Sequence, residues 1–143
     1  MPGKTSFDYA VIRVVPRVER EEFVNVGVVL HSRERRFLGC RVELDPGRLR
    51  ALAPDIDLAS VESHLASFRS VCEGGAMSVE LPTPTERFHW LTAPKSTIVQ
   101  TSAVHSGLSE DPAAELEHLL DVLVRRDPES PMDNRPSAEG SKT

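Results

Sequence analysis

Two groups of residues in this chain carry side chains able to do chemistry. Arg13, Glu22, Asn25 and Gly27 lie near the start, and Arg87, His89, Trp90, Lys95, Ser96 and His105 lie further on. Arginine offers a planar fork of donors to a carboxylate or phosphate, lysine a point charge, and asparagine and serine neutral hydrogen bonds. The chemistry these types suggest is recognition of an anion. Gly27 would let a ligand or a backbone approach closely, and Trp90, if exposed beside Phe88, would serve as a contact anchor. A second reading uses the same residues as a structural network. In it Glu22 pairs with Arg13 or Arg87, and Asn25 satisfies loose backbone groups. Both readings stay open at this level.

Other chemistries find less support. The histidines His31, His64, His89, His105 and His118 show no His-x-x-x-His spacing, and Cys40 and Cys72 form no Cys-x-x-Cys pair, so no metal and no cofactor is expected. Pro94-Lys95-Ser96 lacks the glycines that expose backbone donors in a phosphate loop. Ser96 or Ser106 could be nominated as a nucleophile with His89 or His105, but no Gly-x-Ser-x-Gly turn supports it. Cys40 falls on an apolar face, where a thiol is inert. The balance favours binding over catalysis.

The elements that must position these residues begin with the stretch 22–30, Glu-Phe-Val-Asn-Val-Gly-Val-Val-Leu. Read with period two, Val24, Val26, Val28 and Leu30 form one wholly apolar face, the mark of a central strand. Asn25 and Gly27 are unusual there, and glycine in a strand often marks a bulge. Residues 7–15 alternate in the same way, with Ala10, Ile12 and Val14 on one face, until Pro16 ends the run. If the two strands pair as a hairpin, their apolar faces must coincide, because a one-residue slip would put half the valines into water. Odd residues then pair with odd ones, and Arg13 falls opposite or diagonal to Asn25. A third strand is expected over 36–44, with Leu38, Cys40, Val42 and Leu44 on its apolar face.

Helices follow. Asp45 caps a short one from Pro46 to Leu52, and Asp57 a longer one with the stripe Leu58, Val61, Leu65, Phe68 and Cys72, closed by Gly74-Gly75. Residues 77–81 read as a short edge strand. Thr83-Pro84-Thr85-Glu86 is a capping box that places a short helix over 87–91. Residues 97–101 have strand composition, and a loop is expected through Val104-His105-Ser106-Gly107. Asp111-Pro112 opens the last helix, with Leu116, Leu119, Leu120, Leu123 and Val124 as its core stripe.

The fold class expected is α+β: an antiparallel β-meander of four to five strands with the helices packed on one face. Residues 1–6 are expected to be a flexible N-terminus, 7–126 a single domain and 127–143 a disordered, Pro- and Ser-rich tail. The chain has 143 residues, enough for one core without disulfides. Its formal net charge of −5 supplies no basic field for nucleic acid; Arg33, Arg35 and Arg36 alone are weak grounds for such a contact. No apolar run reaches membrane-spanning length and no signal core opens the chain, so a cytoplasmic protein without a membrane association is expected.

Two stretches read together carry a resemblance. They are Tyr9-Ala-Val-Ile-Arg-Val-Val-Pro16 with residues 22–30, and Arg87-Phe-His-Trp-Leu-Thr-Ala-Pro-Lys-Ser96 with Val104-His-Ser-Gly107. The chain resembles the bacterial domain-of-unknown-function family 3037 over roughly residues 7–125. Its Glu-Phe-x-Asn-Val-Gly motif is the more specific part, and Lys95 stands where the family pattern has arginine. The resemblance implies a small protein with a protein partner, the candidate being a HipA-like kinase, and assigns no activity. The expected function is therefore a non-catalytic interaction or regulatory module. The alternative is a binder of, or an enzyme acting on, an anionic small molecule such as a nucleotide or phosphorylated metabolite.

Overall fold

A computed structural model describes residues 3–75 and 79–125. Five strands form one antiparallel sheet: β1 (Thr5–Val14), β2 (Val24–Ser32), β3 (Phe37–Val42), β4 (Val99–Thr101) and β5 (His105–Ser109). The path runs β3-β2-β1-β4, and β5 also pairs with β1. The first three strands are the expected meander. The two late strands lie end to end along the free edge of β1, β5 beside Thr5–Tyr9 and β4 beside Ile12–Val14. Ser102 fills the gap between them. Its hydroxyl accepts from the Val11 N–H and its own N–H donates to the Val11 carbonyl, both at 2.9 Å, so the edge keeps its hydrogen bonds through the change of strand.

The hairpin register departs from a simple alternation. Tyr9 pairs with Leu30 and Ile12 with Gly27, odd against even, until a bulge leaves Val26 unpaired and brings Arg13 opposite Asn25. The extra residue changes which side chains share a face. Val24 and Val26 point into the larger core with Ala10, Ile12, Val14 and Val29, whereas Val28 and Leu30 point to the other side of the sheet. The four residues expected on one β2 face are thus divided between two.

Each face carries helices. On the larger core pack α1 (Pro46–Leu52), α2 (Leu58–Cys72) and α3 (Pro84–Thr92), contributing Leu49, Val61, Leu65, Phe68, Val71, Phe88 and Leu91. The last helix, α4 (Pro112–Leu120), continues as a π-helical turn over Asp121–Arg125 and lies on the opposite face, where Leu116, Leu120 and Val124 cover Phe7, Val28 and Leu30. The α+β class and the antiparallel sheet stand; the helices do not all share one face. The reason is the bulge. It sends two of the most apolar β2 side chains to the second face, which then needs a cover.

Local signals set the helix ends as their chemistry dictates. Asp45, Asp57 and Asp111 accept from first-turn N–H groups, Thr83 and Glu86 form the reciprocal capping box, and Gly74 takes the left-handed φ of +81° just past α2. Several boundaries differ from expectation. β1 starts at Thr5, inside the segment expected to be a flexible terminus, and strand β5 (His105–Ser109) takes in residues 105–107 of the loop expected over 104–107. Of the edge strand expected over 77–81, residues 77–78 lie outside the described residues and 79–80 form a turn. The tail expected over 127–143 also lies outside them. No helix among the described residues is long and apolar enough to cross a membrane.

Candidate functional site

Asn25 and Gly27 can be accounted for by the fold. The Asn25 side-chain nitrogen donates to the Leu123 carbonyl at 3.2 Å, in the π-helical turn, and Arg48 donates to the next carbonyl, that of Val124, at 3.0 Å. Together they serve carbonyls that a helix end leaves without partners. A Cβ on Gly27 would stand 2.4 Å from the Arg41 carbonyl oxygen and 3.2 Å from the Val42 Cα. The close approach at Gly27 is that of the β3 backbone.

The two arginines expected to converge do not. Arg87, on α3, donates to the carbonyls of Leu81 and Pro82 at 3.2 and 3.3 Å, and its guanidinium passes over Gly74 at the end of α2. It ties the approach of α3 to the end of α2. Glu22 pairs with Arg20 at 2.8 Å on the surface, not with Arg13 or Arg87. His89 and Ser96 are exposed, and His105 packs against Tyr9 with ring centroids 5.4 Å apart and the rings tilted by 35°. Phe88 is buried in the core at 1% exposure, so Trp90, 41% exposed, stands without it at the surface.

Arg13 and Lys95 do come together. With Val15, Val18, Glu21, Phe23 and Gln100 they line an open cavity of about 290 Å³. β1 supplies Arg13, β4 supplies Gln100 directly across from it in register, and the 17–23 connection supplies the rest of one wall. Phe23, 43% exposed, lies under the guanidinium, with Arg13 Cζ 3.8 Å from the ring centroid. Among the described residues no acceptor bonds the Arg13 side chain, and its Nε is buried without a partner. Burial pulls this guanidinium below its ordinary pKa, still far above neutrality, so the group stays a cation.

Lys95 is bonded differently. Its ammonium donates to the carbonyls of Trp90, Leu91 and Ala93 at the end of α3 and lies 4.6 Å from the centre of the Trp90 ring. All three of its donors are used, and it brings to the cavity charge without a free hydrogen bond. A larger cavity of about 380 Å³ lies between the 16–22 connection and Leu52–Ile56, lined by Arg17, Arg20, Glu22 and Asp55. There Arg20 is closed on Glu22 and Arg17 is exposed to solvent, whereas the Arg13 cavity keeps a half-buried cation without an acceptor among the described residues. The smaller cavity is the better candidate site.

Sequence reasoning missed Val18, Glu21, Phe23 and Gln100. Phe23 was legible in part, since an aromatic two residues before Asn25 shares its face. Gln100 carried no signal, because it reaches Arg13 only through the β1–β4 register. Among the described residues no group of three His, Cys, Asp or Glu side chains is placed to hold a metal.

The match to the description "Protein of unknown function (DUF3037)" runs over residues 9–124, most of the chain. The chain belongs to the DUF3037 family. In this member of DUF3037, the matched region starts within β1 and ends within the π-helical turn, so it takes in both core faces and the Arg13 cavity. No curated protein and no solved structure matches the chain.

Proposed function

We propose that this DUF3037 protein is a non-catalytic recognition module that engages a partner protein through the face around Arg13. The observation that carries the reading is the Arg13 guanidinium itself. It lies over Phe23 in an open cavity, with no acceptor among the described residues. A half-buried cation costs free energy unless it is paired and hydrogen-bonded, and no acceptor among the described residues bonds this one. Val18, Phe23 and Trp90, each about two-fifths exposed, give the surroundings the mixture of apolar anchors and charge that docking surfaces use. A HipA-like kinase is the partner to try first, and a cytoplasmic, regulatory role goes with it.

The test is co-purification. The intact protein should bring down one stoichiometric partner, and Arg13→Gln combined with Trp90→Ser should release it while circular dichroism stays unchanged. A partner that is retained by the double variant overturns the reading. The second reading, an anionic small molecule at the same guanidinium, is separated by thermal melting with nucleotides and phosphorylated metabolites. A ligand at a hundred times its Kd should stabilise the fold by about 2.7 kcal/mol, and an Arg13-dependent shift of that size would favour it.

A further inference from the structure

Resting on that reading, we infer that the group the Arg13 cavity takes from the partner is the carboxylate of one aspartate or glutamate side chain, set between apolar residues, and not a phosphate.

Charge balance argues first. The cavity walls carry Arg13 and Lys95 as cations and Glu21 as an anion, a net single positive charge. One carboxylate neutralises it. A phosphate monoester, near two negative charges at neutral pH, would leave a net negative site facing Glu21.

The donors argue second. Lys95 spends its N–H groups on the three α3 carbonyls. The Gln100 amide nitrogen donates one N–H to the Thr97 carbonyl at 2.9 Å, which leaves Gln100 a single N–H beside its oxygen. Of the Arg13 nitrogens, Nε is the one both buried and unbonded, so the two Nη groups at the far edge form the open fork. Two parallel donors satisfy both oxygens of a carboxylate, whereas a phosphate on the same fork would turn its remaining oxygen toward walls that offer one Gln100 N–H and the Glu21 carboxylate.

Size and surroundings argue third. A cavity of about 290 Å³, open to solvent, sits at the lower limit of small-molecule sites and has ample room for one acidic side chain. Val15, Val18 and Phe23 form its apolar wall, and Trp90 lies against Lys95. Apolar surface beside the cation fits an acidic residue that has apolar neighbours in its own chain.

The experiment uses the full chain and three pools of peptides, acetylated and amidated so that no terminal charge remains. Each pool carries glutamate, glutamine or phosphoserine at the centre between randomised apolar positions, and a fourth pool has central glutamine with a free C-terminal carboxylate. Binding is read from Trp90 fluorescence and from side-chain NMR shifts of Arg13 and Phe23. The glutamate pool should bind about tenfold tighter than the glutamine pool, the size expected for hydrogen bonds to a charged group. Arg13→Gln should abolish that difference, and Arg13→Lys, which keeps the charge and loses the fork, should reduce it. Tighter binding by the phosphoserine or free-carboxylate pool, or peptide binding indifferent to glutamate and to Arg13, overturns the side-chain carboxylate while leaving the recognition module in place. A protein that retains none of the four pools loses both.

Discussion

Arg13 stands directly opposite Asn25 across the β1–β2 pair, and it does so because Val26 is bulged out of the ladder. Continued from the Ile12–Gly27 pair without the bulge, the same register would set Arg13 against Val26. The two residues then divide their work. Asn25 turns to the π-helical end of the chain, and Arg13 turns to Phe23 and the open cavity. Two residues that share a motif in sequence and a register in the sheet thereby serve different ends, one structural and one directed outward.

Asn25→Ala should destabilise the fold by about 1–2 kcal/mol, the cost of leaving a carbonyl short of its donor. Asn25→Asp should be worse, because a second acceptor would face the Leu123 carbonyl. Urea unfolding of the two variants checks the order.

Gly27→Ala places a methyl against the backbone of β3 and should cost roughly 1–3 kcal/mol or more, since a backbone carbonyl 2.4 Å away cannot yield cheaply. Gly39→Ala meets the Phe37 ring and a Leu116 methyl instead, side-chain atoms that can shift, and should cost less. Equal losses in the two variants, compared by denaturant midpoint, would remove the distinction between the two glycines.

His31 is buried on β2, stacked on Phe88 at 5.2 Å with Nε2 3.2 Å from the Thr85 hydroxyl. Burial lowers its pKa; nearby His89 and Arg33 act in the same direction and Asp8 acts against them. The folded state therefore binds the proton less readily than the unfolded chain. Stability is fully present above the ordinary histidine pKa of about 6.5 and declines as pH falls from there toward the lower folded value. Unfolding measured at pH 7.5 and 5.5 should show this loss, and His31→Gln should diminish it.

Lys95→Met removes the cation from three carbonyls at the end of α3 and from the face of Trp90. A loss of about 0.5–1 kcal/mol is expected, the usual size of a charge at a helix C-terminus. The Trp90 emission maximum should move at the same time. If Lys95 served only the cavity, the substitution would leave stability unchanged.

Cys40 on β3 packs against the core that holds Cys72 on α2, and their interaction together with burial pushes the Cys72 thiol well up, whereas the interaction lowers Cys40. Cys40 should be alkylated by iodoacetamide faster than Cys72, which mass spectrometry of the partly modified protein can read. Faster labelling of Cys72 would reverse that assignment.

Much of the architecture was legible from local pattern. Period-two alternation marked β1, β2 and β3, and the caps Asp45, Asp57, Thr83 and Asp111 marked four helix starts, because each depends on residues a few positions apart. Strand β5 was not legible. His105-Ser-Gly-Leu-Ser109 has turn composition, and it is extended because the free edge of β1 offers it a ladder of hydrogen bonds.

The candidate site divides along the same line. By itself the sequence determined that two apolar strands would form a hairpin, with Arg13 opposite or diagonal to Asn25 on an odd-with-odd register that holds only beyond the bulge. Only the tertiary structure decided what each would touch. The bulge at Val26 set their register and divided β2 between two cores, and the β1–β4 pairing brought Gln100 to Arg13. Arg87 went to the end of α2, and Lys95 went to the carbonyls of α3. The strand pairings join segments separated by many residues, and the Arg13–Asn25 register depends on one unpaired residue beside Gly27. Arg87 and Lys95 instead bond carbonyls a few residues away, whose positions only the folded turns define.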